Sequence, residues 1–288
     1  MDAVVGIEGA EPWGSLGSGD RADVGVVVTH GFTGNPLATR PIGQWFAAEG
    51  YTVEVPLLPG HGTNVRDLGA TRYDDWYAAL EHTIDHLSAG RVGSGGKPGR
   101  VGSGGKPGRV GSGGGSGCSR IVLVGHSMGG TLSLDYASRN PDRVAAVAAI
   151  NAQVSDPIQP LARVAPVLQY VIPYLPRDLA GLPSNDIARP GIAEGAYPMV
   201  SARAAQSLIS QLRRIRGQML DLTQPLLVAW SPDDHTVPPD NAEALQDLVG
   251  SDEVTEVVCE RSYHLPQLDY DAEKLRVALL DFVATHVG

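Results

Sequence analysis

Cysteine, positive charge and long apolar runs are all scarce in this sequence. Its two cysteines, Cys118 and Cys259, stand apart without the CxxC or His/Cys spacing of a metal site, so we interpret both as structural and predict neither a disulfide framework nor bound zinc. The net charge of −10 argues against nucleic acid as a partner, because phosphate binding usually needs a basic face. No run of about 18 apolar residues is present to span a bilayer, and residues 1–13 lack the pattern of a secretory signal, so we expect a cytoplasmic protein.

The chain does contain enough apolar sequence for a large core. Of its 288 residues, 42% are hydrophobic and 19% are charged, which is an ordinary composition for a globular protein. This length suits one large α/β domain or two small ones.

One segment is a low-complexity repeat. The motif RVGSGGKPG occurs at 91–99 and again at 100–108, and it begins a third time at Arg109. Valine is its only apolar residue, so it cannot bury enough surface to offset its ordering entropy, and we predict a flexible loop over 91–117. Its lysines and arginines are also typical of a nucleic-acid-binding tail. A tolerated surface insertion, natural or engineered, is the favoured interpretation, because the cost of loop closure grows slowly with length.

The rest of the chain alternates between strand and helix patterns. Short apolar, β-branched runs predict buried parallel strands at 23–29, 51–58, 119–124, 143–150, 225–230 and 254–259. Helix patterns lie between them, at 41–49, 73–88, 127–138, 239–248 and 272–286. This alternation predicts a mostly parallel, doubly wound sheet, with residues 1–288 forming a single α/β domain.

Residues 155–219 interrupt this alternation. No strand pattern is visible there, prolines are frequent, and the stretch PIQPLARVAPVLQYVIPYLP is markedly apolar. We predict a helical insertion that lies over the carboxyl edge of the sheet. An irregular helical connection without a ligand role is the alternative.

The stretch IVLVGHSMGGTLSL at 121–134 contains a Gly-x-Ser-x-Gly motif between a strand pattern and a helix pattern. In that context the motif predicts a tight, strained turn that lifts the hydroxyl of Ser127 above the sheet edge, with glycines where side chains would collide with the neighbouring strand and helix. The motif alone is weak evidence in a glycine-rich chain, but its position favours a nucleophile elbow.

A serine nucleophile needs a base that accepts its proton and a carboxylate that orients the base. Asp233 and Asp234 follow the strand PLLVAW, and His264 follows the next strand pattern. All three therefore belong at the same edge of the sheet as Ser127. Of the eight histidines, His264 is the one in this position, so it is the predicted base.

The turn HGFTG at 30–34 follows the first strand pattern and ends at the same edge. We predict that the backbone N–H groups of Phe32 and Met128 form an oxyanion hole, in which one donor is worth about 10²- to 10³-fold in rate. A plain glycine-rich connection is the alternative.

Together these segments resemble the α/β-hydrolase superfamily, and within it the bacterial monoacylglycerol lipases and related thermostable carboxylesterases. The segments that carry the resemblance are HGFTG at 30–34, GYTVEVPLLPGHGT at 50–63, GHSMGGTLSL at 125–134, DDHTVPPDNA at 233–242 and SYHLPQLDYD at 262–271. The resemblance covers nearly the whole chain apart from the repeat.

The resemblance implies an α/β-hydrolase fold in which a small helical cap, residues 155–219, is inserted after the sixth strand. Its D-x-x-V-P motif selects Asp234 over Asp233 as the triad acid, and its S-x-H-x-x-x-x-D motif selects His264, with Asp269 following. Glu194, in GIAEGAY, matches a cap glutamate that binds glycerol hydroxyls; a solvated surface charge is the alternative. The repeat departs from the family pattern, but we expect it on the face away from the active site.

The expected activity is hydrolysis of a carboxylic ester through an acyl-enzyme, with monoacylglycerol as the substrate. No metal or organic cofactor is expected, and contact with a lipid surface would be transient, without stable membrane insertion. A broad carboxylesterase for short to medium chains shares every catalytic residue and stays open. A perhydrolase, a C–C hydrolase and a non-catalytic binding protein on the same fold are remoter alternatives.

Overall fold

The computed structural model describes residues 7–92, 117–156, 167 and 169–287. Its main element is a seven-stranded sheet in the order β1-β3-β2-β4-β5-β8-β9, in which only β1 is antiparallel to its neighbour. In chain order these strands are β1 (Trp13–Ser15), β2 (Val24–Thr29), β3 (Thr52–Val55), β4 (Arg120–His126), β5 (Ala146–Ile150), β8 (Leu226–Trp230) and β9 (Val254–Val258). Two further strands, β6 (Tyr174–Pro176) and β7 (Met199–Ser201), pair separately.

Helices cover both faces of the sheet. They are α1 (Pro36–Ala48), α2 (Val65–Ala70), α3 (Tyr73–Ser88), α4 (Met128–Arg139), α5 (Ala202–Gly217), α6 (Asp240–Leu248) and α7 (Ala272–Val287). Buried side chains of α1 and α7 form the core on one face, and those of α3, α4, α5 and α6 form it on the other. No helix of the described residues is long and apolar enough to cross a membrane.

The central strands are apolar throughout because both of their faces are covered. On β2, Val26 and Val28 belong to one core and Val27 to the other, as the alternation of side chains along a strand requires. On α3, Trp76, Leu80, Ile84 and Leu87 recur every three or four residues, and all four are fully buried.

Helix α1 begins five residues before the predicted start at 41. Asn35 caps it by accepting a hydrogen bond from the N–H of Leu37 at 3.0 Å, and Pro36 occupies the first turn, where the missing N–H costs nothing. Pro41 then lies inside the helix rather than at its start. The pair Asn35-Pro36, a capping residue followed by proline in the first turn, is therefore the sequence signal for the start of α1.

The insertion lies between β5 and β8, so in the described chain it follows the fifth strand rather than the predicted sixth. In the described residues one antiparallel strand, β1, comes before β2, so the strand that precedes the insertion is the fifth. The expectation that 155–219 contains no strand was also wrong, since β6 and β7 form a small antiparallel pair. Each strand has three residues, and β6 includes Pro176. Strands this short and irregular show no period-two pattern in the sequence.

The predicted flexible loop at 91–117 lies, apart from its ends, outside the described residues. Those ends are close together: the N–H of Cys118 donates to the carbonyl of Leu87 at 3.0 Å, and a Cβ on Gly117 would lie 3.0 Å from the nitrogen of Gly90. Both ends lie near the start of β4, whereas Ser127 follows its other end. The described residues on either side of the repeat therefore lie at the end of β4 that is opposite Ser127, and the position of the repeat itself stays a prediction.

Candidate active site

Ser127 lies in a sharp turn between β4 and α4. Its backbone angles are φ 53° and ψ −122°, in a region that non-glycine residues rarely occupy. A Cβ on Gly129 would overlap the carbonyl oxygen of Thr29, and one on Gly125 would overlap that of Gly129. Strand, turn and helix therefore approach so closely that only glycine fits on either side, which is the local geometry that the motif predicted.

Asp234 and His264 form a buried hydrogen-bonded pair at the same edge of the sheet. Nδ1 of His264 lies 2.7 Å from Oδ2 of Asp234, and both side chains are almost completely buried. The second oxygen of Asp234 accepts the N–H groups of Thr236 at 2.7 Å and Val237 at 2.8 Å. Because Nδ1 donates to the carboxylate, Nε2 is the nitrogen that can take a proton from a hydroxyl.

Burial and neighbouring charges act in opposite directions on the ring of His264. Burial by itself lowers the pKa of this imidazole, but the charge and hydrogen bond of Asp234, together with the charges of Asp186 and Glu194, raise it further than burial lowers it. The net result is a pKa above the ordinary value for histidine. A raised pKa makes the neutral ring a stronger base towards the hydroxyl proton.

The backbone of His264 is anchored by two side chains, His126 at the end of β4 and Asn151 directly after β5. Its carbonyl accepts hydrogen bonds from Nδ2 of Asn151 and Nε2 of His126, both at 2.8 Å. Asn151 has a positive φ of 45° and also accepts the N–H of Ser231 at 3.0 Å, so it links β5, the loop after β8 and the histidine loop. Burial, followed by the charge of His264, lowers the pKa of His126 to about 3, and its ring is therefore neutral.

The HGFTG turn packs directly against Ser127. A Cβ on Gly31 would lie 3.0 Å from Cβ of Ser127, which is a tight contact, so glycine at this position favours the close approach of the turn. Nε2 of His30 accepts the N–H of Leu58 at 3.2 Å, and Nδ1 donates to the carbonyl of Gly31 at 3.0 Å. Burial lowers the pKa of His30 to about 4, which keeps the ring neutral as these two bonds require.

The two predicted oxyanion donors flank this contact. Phe32 follows Gly31 in the turn, and Met128 is the first residue of α4, where a helix leaves its N–H groups without partners in the preceding turn. Phe32, Met128, Ser127 and His264 all line the same cavity. The oxyanion hole formed by the N–H groups of Phe32 and Met128 stays a prediction that agrees with this shared cavity.

Glu194 also lines this cavity, but it has a partner that the sequence did not indicate. It is 7% exposed and forms an ion pair with Nη1 of Arg177, which is 4% exposed and also lines the cavity. Burial raises the pKa of Glu194, although the charge of Arg177 opposes the rise. The alternative of a solvated surface charge is therefore wrong: Glu194 is a buried carboxylate that lines the same cavity as Ser127.

The remaining walls of the cavity are mostly apolar and come largely from the cap. The aliphatic cap side chains that line it are Leu175, Leu182, Val200, Leu208 and Ile209. The cavity therefore has an apolar lining suited to a hydrocarbon chain, and the ion pair of Glu194 and Arg177 adds a polar part to its wall.

Comparison with known proteins agrees with this architecture. Residues 26–276 match the model of a family described as the alpha/beta hydrolase family. The chain belongs to the alpha/beta hydrolase family. The resemblance and the fold predicted from the sequence are therefore confirmed.

Three proteins illustrate the relatives of this hydrolase. A thermostable monoacylglycerol lipase of Bacillus sp. (strain H-257) is 32% identical, over 98% of this chain and 97% of the relative. A carboxylesterase of Bacillus subtilis (strain 168) is 23% identical, over 92% of this chain and 93% of the relative. A solved structure described as one of two metagenome-derived lipolytic enzymes, LipS and LipT, is 31% identical, with a TM-score of 0.81 over 97% of this chain and 99% of that one.

One group of described side chains in the hydrolase has metal-ligand chemistry. Asp186, Asp234 and His264 each have a ligand-type atom within 4.8 Å of the others. The nitrogen of His264 that faces Asp234 is, however, already hydrogen-bonded to that carboxylate. We therefore interpret the group as an acid–histidine pair with a second carboxylate beside it.

Proposed function

We propose that the protein is a serine hydrolase that splits monoacylglycerol into glycerol and a free fatty acid through an acyl-enzyme on Ser127. The observation that carries the proposal is a single cavity lined by Ser127, His264 and the buried Glu194, with aliphatic cap residues around the rest. Ester hydrolysis agrees with the names of the relatives, since lipases and carboxylesterases both split carboxylic esters.

In the first step, Oγ of Ser127 attacks the ester carbonyl while its proton passes to Nε2 of His264. The oxyanion that forms is held by the N–H groups of Phe32 and Met128. Collapse of this intermediate breaks the ester bond, and His264 gives its proton to the departing alcohol. Asp234, which is hydrogen-bonded to Nδ1 of His264, stabilises the imidazolium. A water molecule, activated by His264, then repeats the sequence on the acyl-enzyme and releases the fatty acid.

The cap accounts for the proposed substrate. Its aliphatic side chains enclose the acyl chain, and the carboxylate of Glu194 accepts hydrogen bonds from the glycerol hydroxyls. The cap also exposes Tyr170 and Val171, which are 84% and 73% accessible to solvent. Such side chains suit a transient contact with the lipid surface from which a monoacylglycerol is taken.

A general carboxylesterase for short to medium chains is the second candidate. It is favoured by the ion pair between Glu194 and Arg177, since a carboxylate that already has a partner has less need of a glycerol hydroxyl. In that case Glu194 and Arg177 would shape the cavity wall without binding the alcohol part of the substrate.

The two candidates are separated by measuring kcat/KM for 1-monooleoylglycerol and for methyl oleate, on the wild type and on Glu194→Ala. Both esters have the same acyl chain, but only the first has hydroxyls to bind. Loss of a hydrogen bond to a charged group costs about 1.5 to 3 kcal/mol, so we expect a selective drop of roughly 10- to 150-fold on the monoacylglycerol.

The substitution also leaves Arg177 without its ion-pair partner, which affects both substrates alike, so the ratio of the two kcat/KM values is the relevant quantity. Asp178→Asn, an exposed acid of the cap, is the matched control and should leave the ratio unchanged. An equal loss on both esters would identify the protein as a general carboxylesterase.

A further inference from the structure

A second buried carboxylate lies beside the Asp234–His264 pair. Asp186 comes from the cap, is 2% exposed, and has an oxygen within 4.8 Å of the corresponding atoms of Asp234 and His264. A carboxylate is costly to bury unless it has partners, and a second one next to the first adds repulsion. The two-step mechanism above assigns it no role.

The loop that carries Asp234 supplies the partners of Asp186. Oδ2 of Asp186 accepts the N–H of His235 at 3.0 Å and the hydroxyl of Thr236 at 3.1 Å, and Oδ1 lies 2.7 Å from Nδ1 of His235. These contacts fix the carboxylate from the side of the acid loop. The position of its charge relative to Asp234 and His264 is therefore set by hydrogen bonds, not by a free rotamer.

The same stretch of the cap is also attached to the histidine loop. Asp269 accepts the N–H groups of Ala188 at 2.7 Å and Arg189 at 3.0 Å, and it also accepts the N–H of Tyr263 at 3.1 Å. Residues 186–189 thus bridge the loop of the acid and the loop of the base. The cap does more than cover the cavity, because it holds a charge at the reacting histidine.

Among the described residues, four ionisable groups face His264 from the elements packed around it. Asp234 follows β8, His126 ends β4, and Asp186 and Glu194 come from the cap. Glu194 is neutralised in part by its ion pair with Arg177, and His126 is neutral. The side chain of His235, which contacts Asp186, is half exposed to solvent. Asp186 and Asp234 are therefore the negative charges that act most directly on the ring.

We propose that Asp186 is a positioning residue for ester hydrolysis, which stabilises the imidazolium of His264 with a second fixed negative charge and joins the cap to both triad loops. The inference rests on the proposed acyl-enzyme mechanism. When the proton of Ser127 moves to Nε2, the ring gains one positive charge, and the carboxylates of Asp234 and Asp186 lie close to it. Burial opposes that charge, and each carboxylate offsets part of the opposition.

The test is the pH dependence of kcat/KM for p-nitrophenyl butyrate on the wild type and on Asp186→Asn, with folding checked by circular dichroism. kcat/KM reports the free enzyme, in which His264 must be neutral, so its acid limb follows the pKa of that ring. Removal of a negative charge lowers this pKa, and we expect the acid limb to move to lower pH. The plateau should fall by about tenfold, less than the loss of 10²- to 10³-fold that follows removal of a direct oxyanion donor.

Two other variants separate charge from scaffolding. His235→Gln removes the ring that contacts Asp186 but keeps the carboxylate, and Asp178→Asn makes the same chemical change on the exposed surface of the cap. Both should keep the acid limb of the wild type. If His235→Gln shifts the limb as far as Asp186→Asn does, the role of Asp186 is structural only and the proposal is overturned.

Asp186→Ser provides a second uncharged variant that retains an oxygen acceptor, in case Asp186→Asn does not fold. It should shift the acid limb in the same direction. An unchanged limb, or a limb at higher pH, in a folded uncharged variant contradicts the proposal. Lipases and carboxylesterases both cleave p-nitrophenyl butyrate, so this result does not depend on monoacylglycerol as the substrate. A wild type that hydrolyses no ester would overturn the proposed function itself.

Discussion

At the scale of single residues, neighbours in sequence can have opposite surroundings. Asp233 is exposed, whereas the side chain of Asp234 is almost completely buried and is hydrogen-bonded to His264 and to two backbone N–H groups. The resemblance selected Asp234 from the motif D-x-x-V-P. The contacts in the structure support that choice, because a carboxylate can orient a histidine only if it is itself fixed.

Asp234→Asn should reduce kcat for p-nitrophenyl butyrate by about 10³- to 10⁴-fold, because an amide in place of the carboxylate holds the imidazole in the wrong tautomer. Asp233→Asn, one residue away and exposed, should retain most of the activity. Steady-state kinetics on the two purified variants check this ranking. The reverse order would show that the acid is assigned one residue too late.

At the scale of secondary-structure elements, Asp269 connects the cap with the histidine loop. Its two oxygens accept four backbone N–H groups, from Ala188, Arg189, Tyr263 and Tyr270, at 2.7 to 3.1 Å. Such a carboxylate acts as a local cap for chain segments that have no regular partners of their own.

Asp269→Asn should lower the free energy of unfolding by about 2 to 6 kcal/mol, because an amide has one acceptor oxygen and leaves two partly buried N–H groups facing an NH₂ group, at a cost of about 1 to 3 kcal/mol each. Urea unfolding at pH 7 measures this difference. The exposed Asp252 provides the matched control, since Asp252→Asn should change stability by less than about 0.5 kcal/mol. Equal stability of Asp269→Asn and the wild type would show that the hydrogen bonds of Asp269 do not stabilise the fold.

At the scale of the whole molecule, buried neutral histidines limit stability in acid. Burial lowers the pKa of His30 to about 4 and, together with the charge of His264, lowers that of His126 to about 3, from an ordinary value of 6.5. Below pH 6.5 the unfolded chain binds protons at these residues and the folded chain does not. Their contribution to stability is therefore present above pH 6.5 and is lost as the pH falls towards 4 and 3.

His30→Gln removes one of these sites while keeping an acceptor for the N–H of Leu58. From pH 7 to pH 5 the variant should lose about 2 kcal/mol less stability than the wild type, which is the linkage expected for one histidine whose folded pKa is about 4. Urea unfolding at the two pH values measures it, with the exposed His82→Gln as control. The same loss in His30→Gln and the wild type would mean that His30 is not a neutral, buried group.

The repeat allows a test of the fold as a whole. Gly90 and Gly117 lie side by side at the edge of the sheet opposite Ser127, so residues 93–116 can be replaced by Gly-Gly without moving β4. We expect kcat/KM to change by less than about threefold and stability by less than about 1 to 2 kcal/mol, since loop length enters only logarithmically. A large loss of activity would show that the repeat reaches the site.

Features that follow from local sterics and periodicity could be predicted from the sequence alone. The Gly-x-Ser-x-Gly turn, the parallel strands and the main helices could be predicted, because glycine at a close approach and apolar residues at fixed spacing leave a signature within a few neighbouring positions. The order of acid and histidine after the serine followed from the order of the strands.

Which buried polar groups meet depends on how the elements pack in three dimensions. The pairs that meet are Asn151 with His264, Arg177 with Glu194, and Asp186 with Asp234. The two members of each pair are separated in sequence, and such isolated polar residues form no periodic pattern that would predict the contact. The short strands β6 and β7 likewise form because the cap folds back on itself, not because three residues have a strand pattern. Burial makes these polar contacts necessary, since an unpaired charge or N–H is costly inside the protein, but the identity of each partner depends on how the elements pack.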